Sequence, residues 1–274
     1  MPEISVIIPT YNRLAFLREA INSVLAQSFR DYELIVVDDG STDETALYLK
    51  SLGQSLRWVR QDNAGPSAAR NHGIRLAQGA LLAFLDSDDL WVAQKLAKQV
   101  GFMRENADAA LCYTDEIWIR RGVRVNQKRK HHKYSGWIFE RCIPLCIVSP
   151  SSVMMRKTFF EQVGVFDEHL PACEDYDLWL RGALHFPFHF LPERLIVKRG
   201  GHADQLSAAW GLDAYRTQAL QKILLDPRLN EAQRLLVLQH LVRLCRILEI
   251  GFRKNGNTEM AAHYLRLGQK IAVD

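Results

Sequence analysis

Three carboxylates follow a short apolar run in the segment LLAFLDSDDLW. Asp86, Asp88 and Asp89 lie within four positions, although charges this close repel one another and Asp is a poor strand former. A divalent cation would account for the cluster, because Mg²⁺ and Mn²⁺ prefer hard carboxylate oxygens. The alternative is that a buried strand ends at this point and its next residues simply meet water.

The segments that must position these acids alternate between two patterns. Short apolar, β-branched runs predict strands that are buried on both faces, and apolar residues at helical spacing predict helices between them. The predicted strands are 4–8, 33–37, 56–60 and 81–85, and the predicted helices are 14–27, 41–51, 65–78 and 92–105. Ser41 or Thr42 is the predicted N-cap of the second helix. This alternation predicts a doubly wound α/β sheet.

Polar residues follow three of the predicted strands directly. They are the segments 10–12 (TYN), 38–39 (DD) and 86–89 (DSDD). Ligands of doubly wound sheets bind beyond the carboxyl ends of the strands. We therefore expect the three segments to form one site.

The second half of the chain departs from the alternation. Residues 109–119 and 151–156 predict strands, and between them the segment 120–133 carries seven Lys or Arg and two His. This basic segment is either a solvated hairpin or loop, or a patch for a phosphorylated acceptor or an anionic lipid. The tail from about residue 213 to 271 predicts helices that either pack on the main domain or rest on a membrane.

Composition limits the class of protein. The 274 residues are 48% hydrophobic, which is enough for a proper core, and the formal net charge is +4. That charge is too small to predict nucleic-acid binding. The five cysteines are odd in number and fit no zinc spacing, so we expect reduced thiols. We also expect no signal peptide, and no apolar run reaches the ~18 residues of a membrane span.

Five segments in order resemble family 2 glycosyltransferases of the GT-A fold. They are SVIIPTYNR, ELIVVDDGSTDET, NAGPSAARNHGI, LLAFLDSDD and VGVFDEHLPACEDYDLWLR, and the resemblance covers about residues 3–202. It implies an α/β fold of GT-A type: a doubly wound, Rossmann-like mixed sheet flanked by helices, with a C-terminal helical extension. The implied domain is 1–212, with a nucleotide-binding half (1–114) and an acceptor-binding half (115–212), and the extension is 213–274.

The family implies transfer of a sugar from a nucleotide-diphosphate donor with inversion, assisted by Mn²⁺ or Mg²⁺. By this resemblance Asp88 is the metal ligand that bridges to the diphosphate. Asp86 contacts the ribose or a metal-bound water, and Asp89 caps the next helix. His202 reaches the metal or the diphosphate, unless it is an ordinary loop histidine.

The same resemblance places the nucleoside beside the acids. Pro9, Thr10 and Tyr11 match the segment that contacts the base. Asp39 matches the residue that accepts the imide N–H of uracil or thymine, which favours UDP- or dTDP-sugars, although it could be a plain turn residue. Arg70 matches a contact to base or phosphate, with a salt bridge on a helix as the alternative.

The acids of the ED segment are the catalytic candidates. A one-step displacement needs a carboxylate base to take the proton of the attacking hydroxyl. Asp175 is the predicted base and Glu174 the second candidate, while a helix N-terminus is the alternative explanation for acids at this place.

These expectations define an inverting glycosyltransferase that acts in cell-surface polysaccharide synthesis. Its expected partners are a nucleotide-sugar donor and a glycan or lipid-linked glycan acceptor, with peripheral contact to an anionic membrane as a further partner. The expected location is cytoplasmic, at most at the inner face of the plasma membrane. A non-catalytic sugar-nucleotide-binding module and a sugar nucleotidyltransferase are the alternatives, but PTYNRLAF lacks the Gly- and Lys-rich loop that the latter needs.

Overall fold

The computed structural model describes residues 1–201 and 210–273, and these contain one nine-stranded sheet. The strands are β1 (Ile4–Thr10), β2 (Tyr32–Asp38), β3 (Arg57–Arg60), β4 (Leu81–Phe84), β5 (Leu90–Trp91), β6 (Leu111–Arg120), β7 (Val123–Val125), β8 (Val153–Arg156) and β9 (His189–Gly200). Their order is β3-β2-β1-β4-β8-β6-β9-β5, and β7 pairs with β6 outside this path.

The same described ranges contain ten α-helices. They are α1 (Leu14–Leu25), α2 (Thr45–Ser51), α3 (Gly65–Leu76), α4 (Lys95–Glu105), α5 (Phe139–Cys142), α6 (Thr158–Val163), α7 (Glu174–His185), α8 (Leu212–Ile223), α9 (Glu231–Lys254) and α10 (Thr258–Val273). The expected mixed α/β sheet with helices at the C-terminal end is confirmed.

The sheet has two differently built halves. Strands β3, β2, β1 and β4 are mutually parallel, which is the doubly wound arrangement that the sequence predicts. Beyond β4 the pairing becomes mixed: β8 runs antiparallel to both β4 and β6, and β9 runs parallel to β6. The four parallel strands therefore end at one edge.

Two hydrophobic clusters cover the two faces of the sheet. In β1 the side chain of Ile7 lies in one cluster and those of Ile4, Val6 and Ile8 in the other, and all four are fully buried. Apolar residues of α3 and of α5 to α9 belong to the first cluster, and those of α1, α2 and α4 to the second. The β-branched run without polar alternation thus forms a strand buried on both faces, as expected.

Two helices begin later than the sequence predicts. Helix α2 begins at Thr45, because the preceding residues are held in a turn in which Ser41 N–H donates to Asp38 and the Ser41 hydroxyl accepts from Asn12. The prediction of Ser41 or Thr42 as N-cap is therefore wrong. Helix α4 begins at Lys95 because β5, just before it, pairs with β9.

The basic segment begins as a hairpin. Strands β6 and β7 pair antiparallel around Arg121 and Gly122, both of which have positive φ angles. Arg124, Lys128 and Lys130 are exposed in it, whereas the side chain of Lys133 is buried. The hairpin alternative describes the local structure, and the binding of an acceptor or lipid stays a prediction.

The C-terminal helices extend the main core. Ala219 and Leu220 of α8 and Val237 and Leu241 of α9 belong to the same cluster as the sheet residues. A small separate cluster, formed by Cys245, Leu248 and Tyr264, joins α9 to α10. In the described part of the chain no helix is long and apolar enough to cross a membrane. The boundary at residues 212–213 stays a prediction.

Close packing of α3 on β1 generates a first prediction. In Gly73→Ala the added Cβ would lie 2.4 Å from Cγ2 of Ile7, a fully buried and β-branched side chain. We expect the free energy of unfolding to fall by about 1–3 kcal/mol, as for other overpacked cores. The measurement is urea-induced unfolding followed by circular dichroism.

The matched control is Gly101→Ala in α4, where a Cβ meets nothing within 4 Å. Here we expect the free energy of unfolding to rise by up to about 1 kcal/mol, because Ala is the better helix former. Equal effects of the two substitutions would contradict the close approach of α3 to β1.

Candidate functional site

The carboxyl ends of the parallel strands bring the predicted segments together. Thr10 is paired with Asp38 across β1 and β2, and the N–H of Asp39 donates to the carbonyl of Thr10 at 2.9 Å. Pro9 and Thr10 are buried, and Tyr11 is 45% exposed beyond the strand. The hydroxyl oxygen of Thr10 is buried and has no hydrogen-bond partner within the described residues. An unsatisfied buried hydroxyl at this edge suits a site that binds a polar ligand.

Arg70 of α3 connects the two halves of the chain. Its guanidinium donates to Oδ1 of Asp86 at 2.7 Å and to Oε1 of Glu174 at 2.6 Å. Asp86 follows β4, and Glu174 begins α7. The guanidinium also lies 5.2 Å from the ring centre of Phe166. One buried side chain thus holds an acid of the DSDD segment next to the ED segment.

The charges of this triad depend on one another. Burial by itself lowers the pKa of Arg70, but Asp86 and Glu174 outweigh burial and raise that pKa above its ordinary value. Burial also raises the pKa of Glu174, an effect that the charge of Arg70 opposes. Removal of Arg70 would leave two close carboxylates without their shared cation. Breaking a buried pair in this way is strongly destabilising.

The other acids of the DSDD segment have distinct contacts. The side chain of Asp88 accepts from Nη1 of Arg13 at 3.0 Å and is 13% exposed. Asp89 is buried and accepts from Ser151 at 2.7 Å and from the N–H of Arg199 at 3.0 Å. It therefore links β9 to the turn before β8, and the expectation that it caps the next helix is wrong. Burial, followed by the charges of its two acidic neighbours, raises its pKa well above the ordinary value.

The donor set of this edge fits a hard divalent cation. Asp86 and Asp88 offer carboxylate oxygens that are partly exposed, with side-chain exposures of 25% and 13%. Within residues 1–201 and 210–273 no group of three or more His, Cys, Asp or Glu is arranged to hold a metal by itself. Two carboxylates with substrate phosphates are a usual set for Mg²⁺. His202, the other predicted metal ligand, lies outside the described residues.

Asp39 is engaged in the start of α3. Its Oδ1 accepts from Gln61 at 2.8 Å and from the N–H of Ala64 at 3.0 Å. Its Oδ2 accepts from the N–H of Gly65 at 2.8 Å and from Asn63 at 3.3 Å. Four donors thus point at the two oxygens of this side chain. A base imide at this residue has to share or replace one of these donors, and the contact to the base stays a prediction.

Asp175 lies at the beginning of α7 beside a thiol. Cys173, with a φ of 63°, precedes the helix, so Glu174 and Asp175 lie in its first turn. Oδ2 of Asp175 is 3.3 Å from the sulfur of Cys146, and the same sulfur is 3.3 Å from the carbonyl of Val148. A single S–H serves two acceptors here. The S–H of Cys146 can therefore turn from Asp175 to the carbonyl of Val148 when another hydroxyl approaches Asp175.

A second group of ionisable residues borders Asp175, and the sequence analysis missed it. Glu116 of β6 accepts from Lys133 at 2.9 Å and from Ser149, and both side chains of the ion pair are 3% exposed. Lys198 of β9 lines a cavity of about 30 Å³ with Glu116 and Cys146. Burial lowers the pKa of Lys198, but the carboxylates around it outweigh burial and raise that pKa. These carboxylates are Glu116, Asp89, Asp175 and Asp86.

The sequence held weak signals for these residues. Arg13 stands three positions after the end of β1, in the same kind of place as the predicted ligands. Glu116 precedes the apolar residues 117–119 and Lys198 follows the apolar residues 195–197. A charged residue that is buried beside such a run is almost always paired. Their partnership depends on the parallel pairing of β6 with β9, which no local pattern predicts.

The buried pair generates a prediction about acid stability. Burial alone would raise the pKa of Glu116, but Lys133 and Lys198 lower it from 4.5 to about 2. A pKa lowered by folding gives stability that is present above the unfolded value and is lost as pH falls from about 4.5 toward 2. The loss amounts to about 3 kcal/mol, because one pKa unit corresponds to about 1.4 kcal/mol.

Urea-induced unfolding at pH 6 and pH 3 measures this effect. We expect the difference in the free energy of unfolding between pH 6 and pH 3 to be smaller in Glu116→Gln than in the wild type. It should be unchanged in the control Glu105→Gln, whose side chain is exposed. An unchanged difference in Glu116→Gln would contradict the lowered pKa.

Comparisons with known proteins agree with this architecture. A family model described as glycosyl transferase family 2 matches residues 5–164. A glycosyltransferase of Rickettsia conorii, described as uncharacterized, is 34% identical over 212 residues. The match covers 74% of this chain and 34% of that protein, so the chain spans about a third of the relative's length.

Two further proteins are better described. WfgD of Escherichia coli is named UDP-Glc:alpha-D-GlcNAc-diphosphoundecaprenol beta-1,3-glucosyltransferase. It is 30% identical over 179 residues, covering 65% of this chain and 68% of that protein. The crystal structure of residues 1–349 of S. aureus TarS in complex with UDP-GlcNAc is similar in fold, with a TM-score of 0.70 and 19% identity. That similarity covers 98% of this chain and 92% of TarS 1–349.

The family match spans more than half of the chain, from β1 to the end of α6. It includes the three strand ends and the acids of the DSDD segment, and the fold of TarS extends the likeness to the helices at the C-terminal end. The chain belongs to glycosyl transferase family 2.

Proposed function

We propose that the protein transfers a sugar, with inversion, from a nucleotide-diphosphate donor to a hydroxyl of a glycan or lipid-linked glycan. The observation that carries the proposal is the Arg70 bridge between Asp86 and Glu174. The bridge joins Asp86, which we propose faces the diphosphate, to Glu174, the sequence neighbour of the proposed base Asp175. A one-step displacement needs these two groups on either side of the sugar carbon.

The donor occupies the edge of the parallel strands in this proposal. Pro9, Thr10 and Tyr11 line the base, and Asp39 meets its imide N–H. The unsatisfied hydroxyl of Thr10 and the partly exposed ring of Tyr11 support this placement. A uracil or thymine base offers the N–H that a carboxylate accepts, which favours UDP- or dTDP-sugars.

Asp86 and Asp88 face the diphosphate. Arg13 and Arg70 neutralise these acids in the structure described here, so cation binding has to compete with both guanidinium groups. Mn²⁺ or Mg²⁺, when bound, stabilises the negative charge that grows on the leaving nucleoside diphosphate. His202 is a further candidate ligand, because neutral imidazole suits Mn²⁺.

Asp175 takes the proton of the acceptor hydroxyl. It lies in the first turn of α7, at the positive end of the helix dipole. The positive charge of Lys198 interacts with it, and Cys146 donates a weak hydrogen bond that the acceptor hydroxyl can replace. Glu174 is held by Arg70, which leaves Asp175 the freer of the two carboxylates.

The chemistry of the relatives supports the class of substrate. The name of WfgD states a UDP-sugar donor and an acceptor linked to a diphosphate-bearing lipid. The TarS structure contains UDP-GlcNAc. A role in cell-surface polysaccharide synthesis, with the protein on the cytoplasmic side of the membrane, follows from the same proposal.

Donor binding is tested by thermal unfolding with UDP, dTDP, GDP, CMP and ADP, each with and without Mn²⁺. We expect UDP or dTDP with Mn²⁺ to raise the melting temperature, because a ligand at ~100 times its dissociation constant adds about 2.7 kcal/mol to stability. The rise should vanish in Asp88→Ala. It should persist in Asp62→Ala, a control in which an exposed acid is removed.

No rise with any nucleotide would contradict the proposed donor site. A rise of equal size in Asp88→Ala would contradict the role of Asp88 as a metal ligand while leaving nucleotide binding intact.

The base is tested by the release of UDP from UDP-glucose and UDP-GlcNAc in the presence of Mn²⁺. We expect Asp175→Asn to lower kcat about 10²–10⁴-fold, which is the usual contribution of a general base. Its affinity for UDP should stay within a factor of two of wild type, because the proposed role of Asp175 is toward the acceptor hydroxyl and not toward the nucleotide.

Asp62→Asn serves as the control and should keep the wild-type kcat. Full activity in Asp175→Asn would assign the base to another residue. Nucleotide binding without turnover in the wild-type protein would favour the non-catalytic sugar-nucleotide-binding module instead.

A further inference from the structure

The outer face of α9 has an unusual composition. The helix runs for 24 residues, and from Leu235 onward its exposed residues are large apolar side chains, cations and one glutamine. They are Leu235, Leu236, Gln239, Arg243, Arg246, Ile247, Ile250, Arg253 and Lys254, which we call the outer face. The four apolar members are 38–55% exposed. The opposite side packs into the core through Val237, Leu241 and Leu244. Two kinds of surface on one helix define an amphipathic element.

The charges of the outer face have one sign. Helix α9 contains only two acids, Glu231 in its first turn and Glu249, which is buried and paired with Arg253. Arg243, Arg246 and Lys254 form no ion pair within the described residues, and all three are exposed. Cations without acidic partners are spread over about 17 Å of helix, at 1.5 Å per residue. The face is thus positively charged in its C-terminal part.

The alternation of apolar and basic residues distinguishes among possible partners. Ile247 and Ile250 lie between Arg246 and Arg253 along the chain, so an apolar patch and a charged patch are presented together. Such a mixture matches the headgroup region of an anionic bilayer, where apolar side chains enter the acyl boundary and cations stay among the phosphates. A self-association interface would instead bring the unpaired cations of two copies together.

The length and charge of α9 indicate how it would lie on a membrane. No helix of the described residues is long and apolar enough to cross a membrane. A helix with cations along its outer side lies parallel to the surface. We propose that the outer face of α9 docks the protein on the surface of an anionic lipid bilayer. The docking does not depend on the transfer reaction, although it would place the protein where a lipid-linked acceptor resides.

The test measures sedimentation of the full chain with vesicles of phosphatidylcholine alone and with 30% phosphatidylglycerol, each at about 0.05 and 0.5 M salt. We expect binding only to the anionic vesicles, and weaker binding at high salt because exposed charges are screened. Arg243→Gln/Arg246→Gln should lower the partition coefficient about 25-fold, since each cation near an anionic surface contributes about fivefold.

The matched control removes two cations from the other basic region. Arg129→Gln/Lys130→Gln changes the net charge equally, and both residues are exposed in the segment after the β6–β7 hairpin. It should bind vesicles as the wild type does. Ile247→Ser/Ile250→Ser should weaken the binding that remains at high salt. Far-UV circular dichroism and the melting temperature confirm that the exposed substitutions leave the fold intact.

Three results would overturn the proposal. The first is no binding of the wild type to anionic vesicles. The second is loss of binding in Arg129→Gln/Lys130→Gln but not in the α9 variant, which would assign the membrane contact to the basic hairpin segment. The third is a wild-type dimer that becomes monomeric in Ile247→Ser/Ile250→Ser, which would make the outer face an interface between copies. UDP binding, measured on the same variants, separates any of these from a failure of the proposed donor site.

Discussion

The site depends on the buried guanidinium of Arg70. This guanidinium forms hydrogen bonds both to Asp86, just beyond the central strand β4, and to Glu174 at the start of α7. A buried ion pair gives little net stability, because taking the charges out of water offsets their attraction. Its use is geometric: the two segments are 88 residues apart in sequence, and the fork of one Arg fixes both.

The parallel half of the sheet makes this connection possible. Strands β3, β2, β1 and β4 all end at one edge, so α3 begins there and carries Arg70 between the strand ends and α7. The mixed half supplies a different environment. Glu116 and Lys133 form a buried pair beside Lys198, and this group borders Asp175. A low local dielectric strengthens each of these charges, so a single substitution is expected to affect its neighbours as well.

Sequence reasoning succeeded where the pattern was local. The prediction was within one or two residues for β1, for the strand ends and for α3. Burial on both faces and helical spacing can be recognised from neighbouring residues in the sequence. It failed at α2 and at Asp89. There the Ser41 turn is fixed by Asn12, and Asp89 is fixed by Ser151, which is 62 residues away. Contacts of that range leave no periodic signal.

The sequence by itself determined the α/β class, the acids at the strand ends and the family, because motif order and hydrophobic period depend on neighbouring residues. Only the tertiary structure decided which charge neutralises which: Arg13 with Asp88, Arg70 with Asp86 and Glu174, and Lys133 with Glu116. It also decided which side of α9 remains in solvent. The physical reason is that an ion pair depends on distance and burial in space, and both follow from strand order and helix packing, which no short stretch of sequence contains.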